Sequence, residues 1–168
     1  GRLGIDLDEG NAYRIGAAFA VALNAKTVVL GRDIRASSQA LAQGVAQGLI
    51  DQGCEVLDLG LSGTEEMYSA TTHFGADGGI CVTASHNPVD YNGTKMVRAG
   101  SAPLDAPSGL AHIKELAEAN AFGITTTIGK IRDVAEEARA AYVERICQFV
   151  DVSALKPLKI LVNAGHGT

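Results

Sequence analysis

Residues 77–88 read Asp77-Gly-Gly-Ile-Cys-Val-Thr-Ala-Ser-His-Asn-Pro88, a buried strand followed directly by a polar loop. The apolar run at 80–82 predicts the strand. Pro88 biases the residue before it away from helix, so Ser85 and His86 are expected on a turn where the strand ends. In open α/β sheets ligands bind at that edge. A hydroxyl presented there can act as a nucleophile or as a phosphoryl carrier.

The same loop also has a simpler explanation. Asn-Pro is a common turn signal, and a Ser-His pair in front of it can serve only to cap main-chain groups. On local chemistry alone both interpretations stay open, because loops carry functional sites but most loops do not.

Strands and helices alternate along the rest of the chain. The sequence predicts further strands at 27–30, 55–59, 94–97 and 158–162. It predicts helices at 11–24, from Ser37 or Ser38 onward, after a capping box from Ser62 to Glu65, at 111–120 and at 133–150. The alternation indicates a three-layer α/β/α domain with a mixed or mostly parallel sheet.

Three loops are expected to meet at one edge of this sheet if their strands run parallel. They are residues 31–35, residues 62–64 and the loop that contains Ser85, with Lys95 and Arg98 just beyond it. Together they offer a hydroxyl, an imidazole and up to four cations. Phosphoryl transfer requires little from a protein beyond positioning and charge stabilisation.

Each of these cations also has an explanation as a surface charge. Arg35 is expected to pair with Asp33 and other surface carboxylates, with little functional meaning. For Arg32 such a pair and a phosphate contact are equally good explanations. Lys95 could be a solvated lysine, and His86 could either donate to a phosphate or only hold the loop.

Composition excludes several function classes. The chain has 168 residues, of which 46% are hydrophobic, and its net charge of −5 favours neither nucleic acid nor a membrane surface as a partner. No run is long enough to span a membrane and no signal peptide is visible, so we expect a cytoplasmic protein. The three cysteines lack metal-ligand spacing and are expected to be small buried residues in a reducing compartment.

The run Gly79-Ile-Cys-Val-Thr-Ala-Ser-His-Asn-Pro-Val-Asp-Tyr-Asn-Gly-Thr-Lys95 resembles the phosphoserine loop of the α-D-phosphohexomutases, the phosphomannomutase/phosphoglucomutase family. The segments 12–16, 28–35 and 58–66 also look like the first domain of that family. Ser62-Gly-Thr-Glu-Glu66 resembles the corresponding segment of the bacterial phosphomannomutases that make GDP-mannose precursors. The resemblance implies a first domain at 1–155 and the start of a second at 156–168.

The resemblance implies a role for each matching residue. Ser85 would carry a phosphoryl group and interconvert mannose 6-phosphate and mannose 1-phosphate through a 1,6-bisphosphosugar. Lys95 would contact the phosphate and aid proton transfer, and His86 and Asn87 would support the loop. From their places in these loops we also take His86 as a candidate catalytic residue and Asn87 and Arg32 as candidates for binding phosphate. Mg²⁺ would be held by the phosphoserine and by carboxylates of the second domain, with glucose or mannose 1,6-bisphosphate as activator.

The sequence also departs from the family pattern. Of the usual aromatic-x-x-Arg-Gly segment at most the glycine is present, as Gly1, and the metal-binding, sugar-selecting and C-terminal phosphate-binding loops have no counterpart. We therefore expect a fragment that is inactive alone and that works with the remaining domains of a longer chain. His166, in the terminal glycine turn, is a further candidate for a phosphate contact.

Three alternatives remain at this point. A glucose- or glucosamine-specific mutase would share the same serine loop. A non-catalytic phosphosugar- or phosphoprotein-binding module would use an α/β anion site. A serine hydrolase is disfavoured, because no Gly-x-Ser-x-Gly elbow surrounds Ser85 and no oxyanion-hole motif is evident.

Overall fold

A six-stranded sheet forms the centre of the computed structural model, which describes residues 1–123 and 125–163. The strands are β1 (Thr27–Arg32), β2 (Glu55–Leu61), β3 (Gly78–Val82), β4 (Thr94–Arg98), β5 (Ala102–Pro103) and β6 (Lys130–Asp133). The helices are α1 (Glu9–Leu23), α2 (Ser38–Asp51), α3 (Thr64–His73), α4 (Ala111–Ala119) and α5 (Ala135–Cys147). Short helical turns occur at Ala99–Ser101, Ala106–Leu110 and Val152–Ala154.

The strand directions make the sheet mixed. The order across the sheet is β5-β4-β3-β1-β2-β6. β1 runs parallel to β2 and β3, and β6 runs parallel to β2. β4 turns back antiparallel to β3, and β5 is antiparallel to β4. The carboxyl ends of β1, β2 and β3 therefore lie at one edge, which is where an open α/β sheet binds its ligands.

Helices cover both faces of the sheet. Phe19 of α1 and Leu49 of α2 pack with Ile80 in one core, and α4 adds Ile113 to that layer. On the opposite face Met67 of α3 and Ala138 of α5 pack with the other side of the strands. Successive strand residues point to opposite faces, so a strand covered on both sides is apolar throughout, as β3 is. The predicted three-layer α/β/α fold is confirmed.

The helices α1 and α2 approach each other closely because two glycines leave room for main-chain contact. An ideal Cβ placed on Gly48 would lie 2.1 Å from the carbonyl oxygen of Tyr13. On Gly16 it would lie 2.3 Å from the carbonyl oxygen of Val45. Both contacts are with main chain, which cannot rotate away as a side chain can. These two glycines therefore set the distance between α1, which precedes β1, and α2, which follows the loop after β1.

Two sequence-based expectations about the C-terminal third are wrong. The helix expected at 133–150 is shorter, running from Ala135 to Cys147, and Asp133 is instead the last residue of β6, which pairs with β2. The strand expected at 158–162 is not formed among the described residues. Its apolar side chains are exposed, as at Leu161, which is 96% exposed. A strand needs a partner for its main-chain groups, and hydrophobic pattern alone does not supply one. His166 lies outside the described residues.

No helix in residues 1–123 and 125–163 combines the length and the apolar character that crossing a membrane would require.

Replacing Gly48 by Ala tests the close packing of α1 and α2. Overpacking costs about 1–3 kcal/mol, more than the ~1 kcal/mol that Ala gains over Gly within a helix. Because the added Cβ would meet main chain at 2.1 Å, the cost lies at the upper end of this range, and the free energy of unfolding in urea should fall by a net of about 2 kcal/mol. The matched control is Gly123→Ala, whose added Cβ would have no atom within 4 Å and which should unfold like the parent. Equal stability of the two variants would contradict the packing described.

Candidate active site

A cleft of about 670 Å³ opens at the carboxyl ends of β1, β2 and β3. Three loops meet there, as the sequence predicted: the one after β1, the one after β2 and the one after β3. The residues that line the cleft are Arg32, Asp33, Ile34, Leu61, Ser62, Gly63, Thr64, Glu65, Glu66, Cys81, Thr83, Ser85, His86 and Lys95. The sheet edge therefore brings together the hydroxyl, the imidazole and two of the cations singled out above.

The loop at residues 83–93, here called the serine loop, is closed at its base by a main-chain hydrogen bond. The N–H of Thr83 donates to the carbonyl of Gly93 at 2.9 Å, one step beyond the last pair of β3 and β4. Ser85 lies in the left-handed region, with φ +54°, which non-glycine residues adopt uncommonly. Its N–H donates to Oγ1 of Thr83 at 2.8 Å. The loop thus holds an exposed serine in a fixed and unusual backbone conformation.

Two side chains next to Ser85 are placed differently from each other. Nδ1 of His86 lies 3.1 Å from Oγ of Ser85, within hydrogen-bond range, and both residues face the cleft. Nδ2 of Asn87 instead donates to the carbonyl of Ala84 at 2.8 Å and closes a turn inside the loop. The observed contact of Asn87 is therefore a loop-stabilising one.

Arg35 makes the contacts that sequence reasoning missed. Its guanidinium donates to four main-chain carbonyls of the serine loop, at distances of 2.6 to 3.1 Å: Ser85, Asn87, Pro88 and Tyr91. The expected ion pair with Asp33 is also present, with Nε 3.5 Å from Oδ2. The expectation that Arg35 is only a surface charge is nevertheless wrong, because its side chain is 11% exposed and organises the loop.

A buried amide anchors the other end of the serine loop. Asn92 is 1% exposed, and its Nδ2 donates to the hydroxyls of Ser37 at 2.8 Å and Ser38 at 2.9 Å. Its Oδ1 accepts from the N–H of Gly93 at 2.8 Å. Ser38 in turn donates to Asp33. The network ties the serine loop to the start of α2, and every polar atom of the amide is used.

The four cations expected at this edge separate into three groups. Arg32 and Lys95 line the cleft, and neither makes a hydrogen bond or ion pair through its side chain with any part of the chain that the structure describes. Arg35 lies beneath the serine loop. Arg98 is wrongly assigned to this edge, because β4 runs antiparallel and Arg98 pairs with Gly78 at the opposite end of β3. Two unpaired positive charges therefore face the cleft.

The start of α3 forms one wall of the cleft and is capped one residue later than the sequence suggested. The N-cap is Gly63, whose N–H donates to the carboxylate of Glu66 at 2.7 Å, in place of the expected pair Ser62 and Glu65. Nε of Arg139, in α5, lies 3.5 Å from Oε1 of Glu66 and forms an ion pair with it. This carboxylate is therefore committed to the helix end and does not compete for a ligand in the cleft.

Cys81 contributes a second nucleophilic atom to the floor of the cleft, but in its unreactive form. Burial raises the pKa of this thiol to about 11, with a further increase from Asp33 and opposing effects of a hydrogen bond with Thr64 and the charge of Lys95. A thiol with that pKa is protonated at neutral pH and is a poor nucleophile. The exposed hydroxyl of Ser85 is the better candidate for covalent chemistry.

The part of the chain that the structure describes holds no group of three or more His, Cys, Asp or Glu side chains arranged to bind a metal ion. Three acidic residues line the cleft: Asp33, Glu65 and Glu66. Asp33 and Glu66 are used in an ion pair and a helix cap, whereas Glu65 makes neither kind of contact with the described residues. A divalent cation at this edge would therefore need ligands besides the side chains of the cleft.

Comparisons with known proteins point to one family. Residues 1–123 match the family model for "Phosphoglucomutase/phosphomannomutase, alpha/beta/alpha domain I". The chain is 48% identical over 167 residues to a phosphomannomutase of Escherichia coli K12, covering 99% of this chain and 37% of that protein. It is 46% identical over 170 residues to a protein of Xanthomonas campestris named "Phosphohexose mutases", with the same coverage. The chain thus spans about 37% of the length of these relatives.

Solved structures show the same fold. A phosphoglucomutase/phosphomannomutase family protein from Burkholderia thailandensis superposes with a TM-score of 0.75 at 33% sequence identity. The match covers 88% of this chain and 33% of that one.

Thiol labelling tests the burial of Cys81. Cys54 and Cys81 are buried and Cys147 is exposed, which corrects the expectation that all three are buried. With Ellman's reagent at neutral pH, we expect one thiol to react quickly and two only after unfolding. Cys147→Ser should remove the fast phase. Rapid reaction of Cys81 in the native protein would show that the cleft floor is open.

The same two buried thiols predict a pH dependence of stability. Burial raises the pKa of Cys54 and of Cys81 from an ordinary 9.0 to about 11. Between these values the unfolded chain has lost thiol protons that the folded chain retains, so the free energy of unfolding should fall as the pH rises from 9 to 11. In urea titrations at several pH values, a double Cys54→Ala, Cys81→Ala variant should lose this fall in the free energy of unfolding between pH 9 and 11. A slope that is the same in both proteins would contradict the assignment.

Proposed function

Because the chain belongs to the phosphoglucomutase/phosphomannomutase family, as its domain I, we propose that Ser85 carries the phosphoryl group of a hexose-phosphate mutase. The observation that best supports this role is the placement of Ser85 Oγ on an exposed left-handed turn, in a cleft with two unpaired cations. A hydroxyl that must be loaded and unloaded has to be accessible and fixed at the same time.

The reaction we propose consists of two phosphoryl transfers. In the first, the bond between phosphorus and Oγ of phosphorylated Ser85 breaks as a sugar-monophosphate hydroxyl attacks phosphorus. The sugar becomes a 1,6-bisphosphate, the proton of the attacking hydroxyl goes to a base in the cleft, and Oγ takes up a proton as it leaves phosphorus. In the second, Oγ gives its proton to a base in the cleft and attacks the other phosphorus, the bond between that phosphorus and the sugar oxygen breaks, and the sugar oxygen takes up a proton as the isomeric monophosphate is released. The serine ends as it began, phosphorylated.

Charge in the cleft suits this cycle. A phosphoserine carries about −1.5 to −2 charges at neutral pH. The unpaired side chains of Arg32 and Lys95 together carry two positive charges. At roughly 4 Å near a protein surface one such pair of unit charges interacts by about 4 kcal/mol before solvation costs. We propose that Arg32 binds phosphate and that Lys95 contacts the transferred group and assists proton movement.

His86 is proposed as a catalytic residue because it touches the reacting oxygen. Its Nδ1 lies 3.1 Å from Oγ of Ser85, close enough to orient the hydroxyl or to exchange a proton with it. The phosphate-binding role expected of Asn87 stays a prediction, and the contact with the Ala84 carbonyl supports the loop-holding role.

Mg²⁺ is proposed as the metal of the complete enzyme. It prefers oxygen ligands and is commonly bound through phosphate and a few carboxylates. The phosphate on Ser85 would supply such an oxygen, and the carboxylates would come from outside this chain. The ion would neutralise charge on the transferred group, and a 1,6-bisphosphosugar would serve as activator by loading the serine.

The substrate we propose is mannose phosphate, converted between the 6- and 1-phosphates. This rests on the name of the Escherichia coli relative and on the Ser-Gly-Thr-Glu-Glu segment at residues 62–66. A glucose- or glucosamine-phosphate mutase remains the second candidate, because the Xanthomonas relative is named for phosphohexoses in general. We also propose domain boundaries at 1–155 and 156–168, with the sugar pocket completed by other domains.

Ser85→Ala in the complete natural protein that contains this chain tests the carrier role. Removing the attacking oxygen should lower kcat for mannose 1-phosphate conversion by at least about 10³-fold. Ser69→Ala, a serine of α3 away from the cleft, is the matched control and should keep normal kcat. Unchanged turnover in Ser85→Ala would exclude the proposal. Binding retained without any turnover in the parent protein would favour a phosphosugar-binding module.

The 168-residue chain by itself should turn over little or no sugar phosphate, because residues outside it are needed to close the sugar pocket. The measurement is a coupled assay with mannose 1-phosphate and with glucose 1-phosphate, run on this chain and on the complete protein. We expect conversion only by the complete protein, faster with the mannose compound. Robust conversion by the short chain would contradict the proposed division of labour.

A further inference from the structure

The guanidinium of Arg35 is surrounded by main-chain oxygens of the serine loop. One terminal nitrogen, Nη1, donates to Pro88 at 2.9 Å and to Tyr91 at 3.1 Å. The other, Nη2, donates to Ser85 at 2.8 Å and to Asn87 at 2.6 Å. A planar fork of N–H donors can satisfy several acceptors at once, which the single ammonium group of a lysine cannot reproduce.

Arg35 is itself held in place from the other side. Its Nε lies 3.5 Å from Oδ2 of Asp33, and its own N–H donates to Oδ1 of the same carboxylate at 3.0 Å. The N–H of Asp33 donates to the carbonyl of Val82 at 3.0 Å. Strand β3, Asp33 and Arg35 thus form a chain of contacts that leads from the sheet to the serine loop.

Apart from Arg35, the tip of the serine loop is held mainly by hydrogen bonds within the loop, such as those from the N–H and Nδ2 of Asn87 to the carbonyl of Ala84. Residues 85–89 are all exposed, and Val89 is 84% exposed. Almost no apolar burial therefore holds these residues, although the left-handed conformation of Ser85 is intrinsically unfavourable for a residue with a Cβ. The N–H of Ser85 is fixed by Thr83 and its carbonyl by Arg35. These two contacts define the backbone on both sides of the reactive hydroxyl.

We propose that Arg35 is the positioning residue for phosphoryl transfer: its guanidinium holds four carbonyls of the serine loop so that Ser85 Oγ faces the cleft in a single orientation. The inference rests on the proposed carrier role of Ser85. Arg35 does not line the cleft, so it acts through the loop and not by contact with the sugar. Its loss should therefore change the rate of transfer far more than the affinity for substrate.

Arg35→Lys in the complete protein that contains this chain tests the inference. A misplacement of about 1 Å can cost roughly 10²-fold in rate. We expect kcat for hexose-phosphate conversion to fall about 100-fold while KM changes less than about threefold. The single-turnover transfer from serine preloaded with a 1,6-bisphosphosugar should slow by the same factor. Arg98→Lys, an exposed arginine at the far end of the sheet, is the control and should behave like the parent.

Chemical rescue separates positioning from a general loss of folding. In Arg35→Gly, added methylguanidinium should refill the space and recover part of kcat, whereas methylammonium should not. If Arg35→Lys keeps parental kcat per folded molecule, or only lowers the melting temperature, the inference is overturned. Ser85→Ala is run in parallel: if it were fully active, the proposed function itself would fail, whatever Arg35 does.

A second substitution covers the case in which Arg35 variants do not fold. Replacing the peptide bond between Ser85 and His86 by an ester weakens the carbonyl acceptor that Ser85 offers to the guanidinium and leaves every side chain intact. Loss of one such hydrogen bond should lower kcat about fivefold with unchanged KM. The control is an ester between Ala119 and Asn120, at the exposed end of α4, which should leave kcat unchanged. Equal kcat in the two esters would count against the inference.

Discussion

The four hydrogen bonds from the Arg35 guanidinium to carbonyls of the serine loop are the interaction on which the candidate site depends. A phosphoryl carrier has to be exposed to meet its substrate, and an exposed loop normally moves. Exposure and rigidity are reconciled here by hydrogen bonds from beneath the loop, since apolar packing would bury the hydroxyl. The side of the loop that faces Arg35 is fixed, and the side with Ser85 stays accessible.

The rest of the fold supports this arrangement. The parallel order of β1, β2 and β3 brings three loops to one edge, and the antiparallel return of β4 places Lys95 beside Cys81 on the cleft floor. Asn92 ties the end of the serine loop to α2. The close contact of α1 with α2 keeps that helix against the sheet. The packing of α2 in the core is therefore linked to the geometry of the serine loop through the hydrogen bonds of Asn92.

Much of this could be predicted from the sequence, and the failures have physical causes. The alternation of strands and helices, the strand before Ser85 and the meeting of three loops follow from local patterns. The loop-holding roles of Arg35 and Asn92 were missed because their partners are main-chain or distant groups, which leave no spacing signal. Arg98 was misplaced because composition does not reveal the direction of β4. The strand expected at 158–162 shows that an apolar pattern does not provide a partner strand.

The identity of Ser85 as the phosphoryl carrier is tested most directly by mass spectrometry of the complete natural protein, freshly purified, with its phosphorylation site mapped. The carrier role of Ser85 predicts a single phosphate on this residue, which is removed by excess sugar monophosphate and restored by a 1,6-bisphosphosugar. Protein that never carries phosphate on Ser85, even after incubation with the bisphosphate, yet still interconverts hexose phosphates would contradict it.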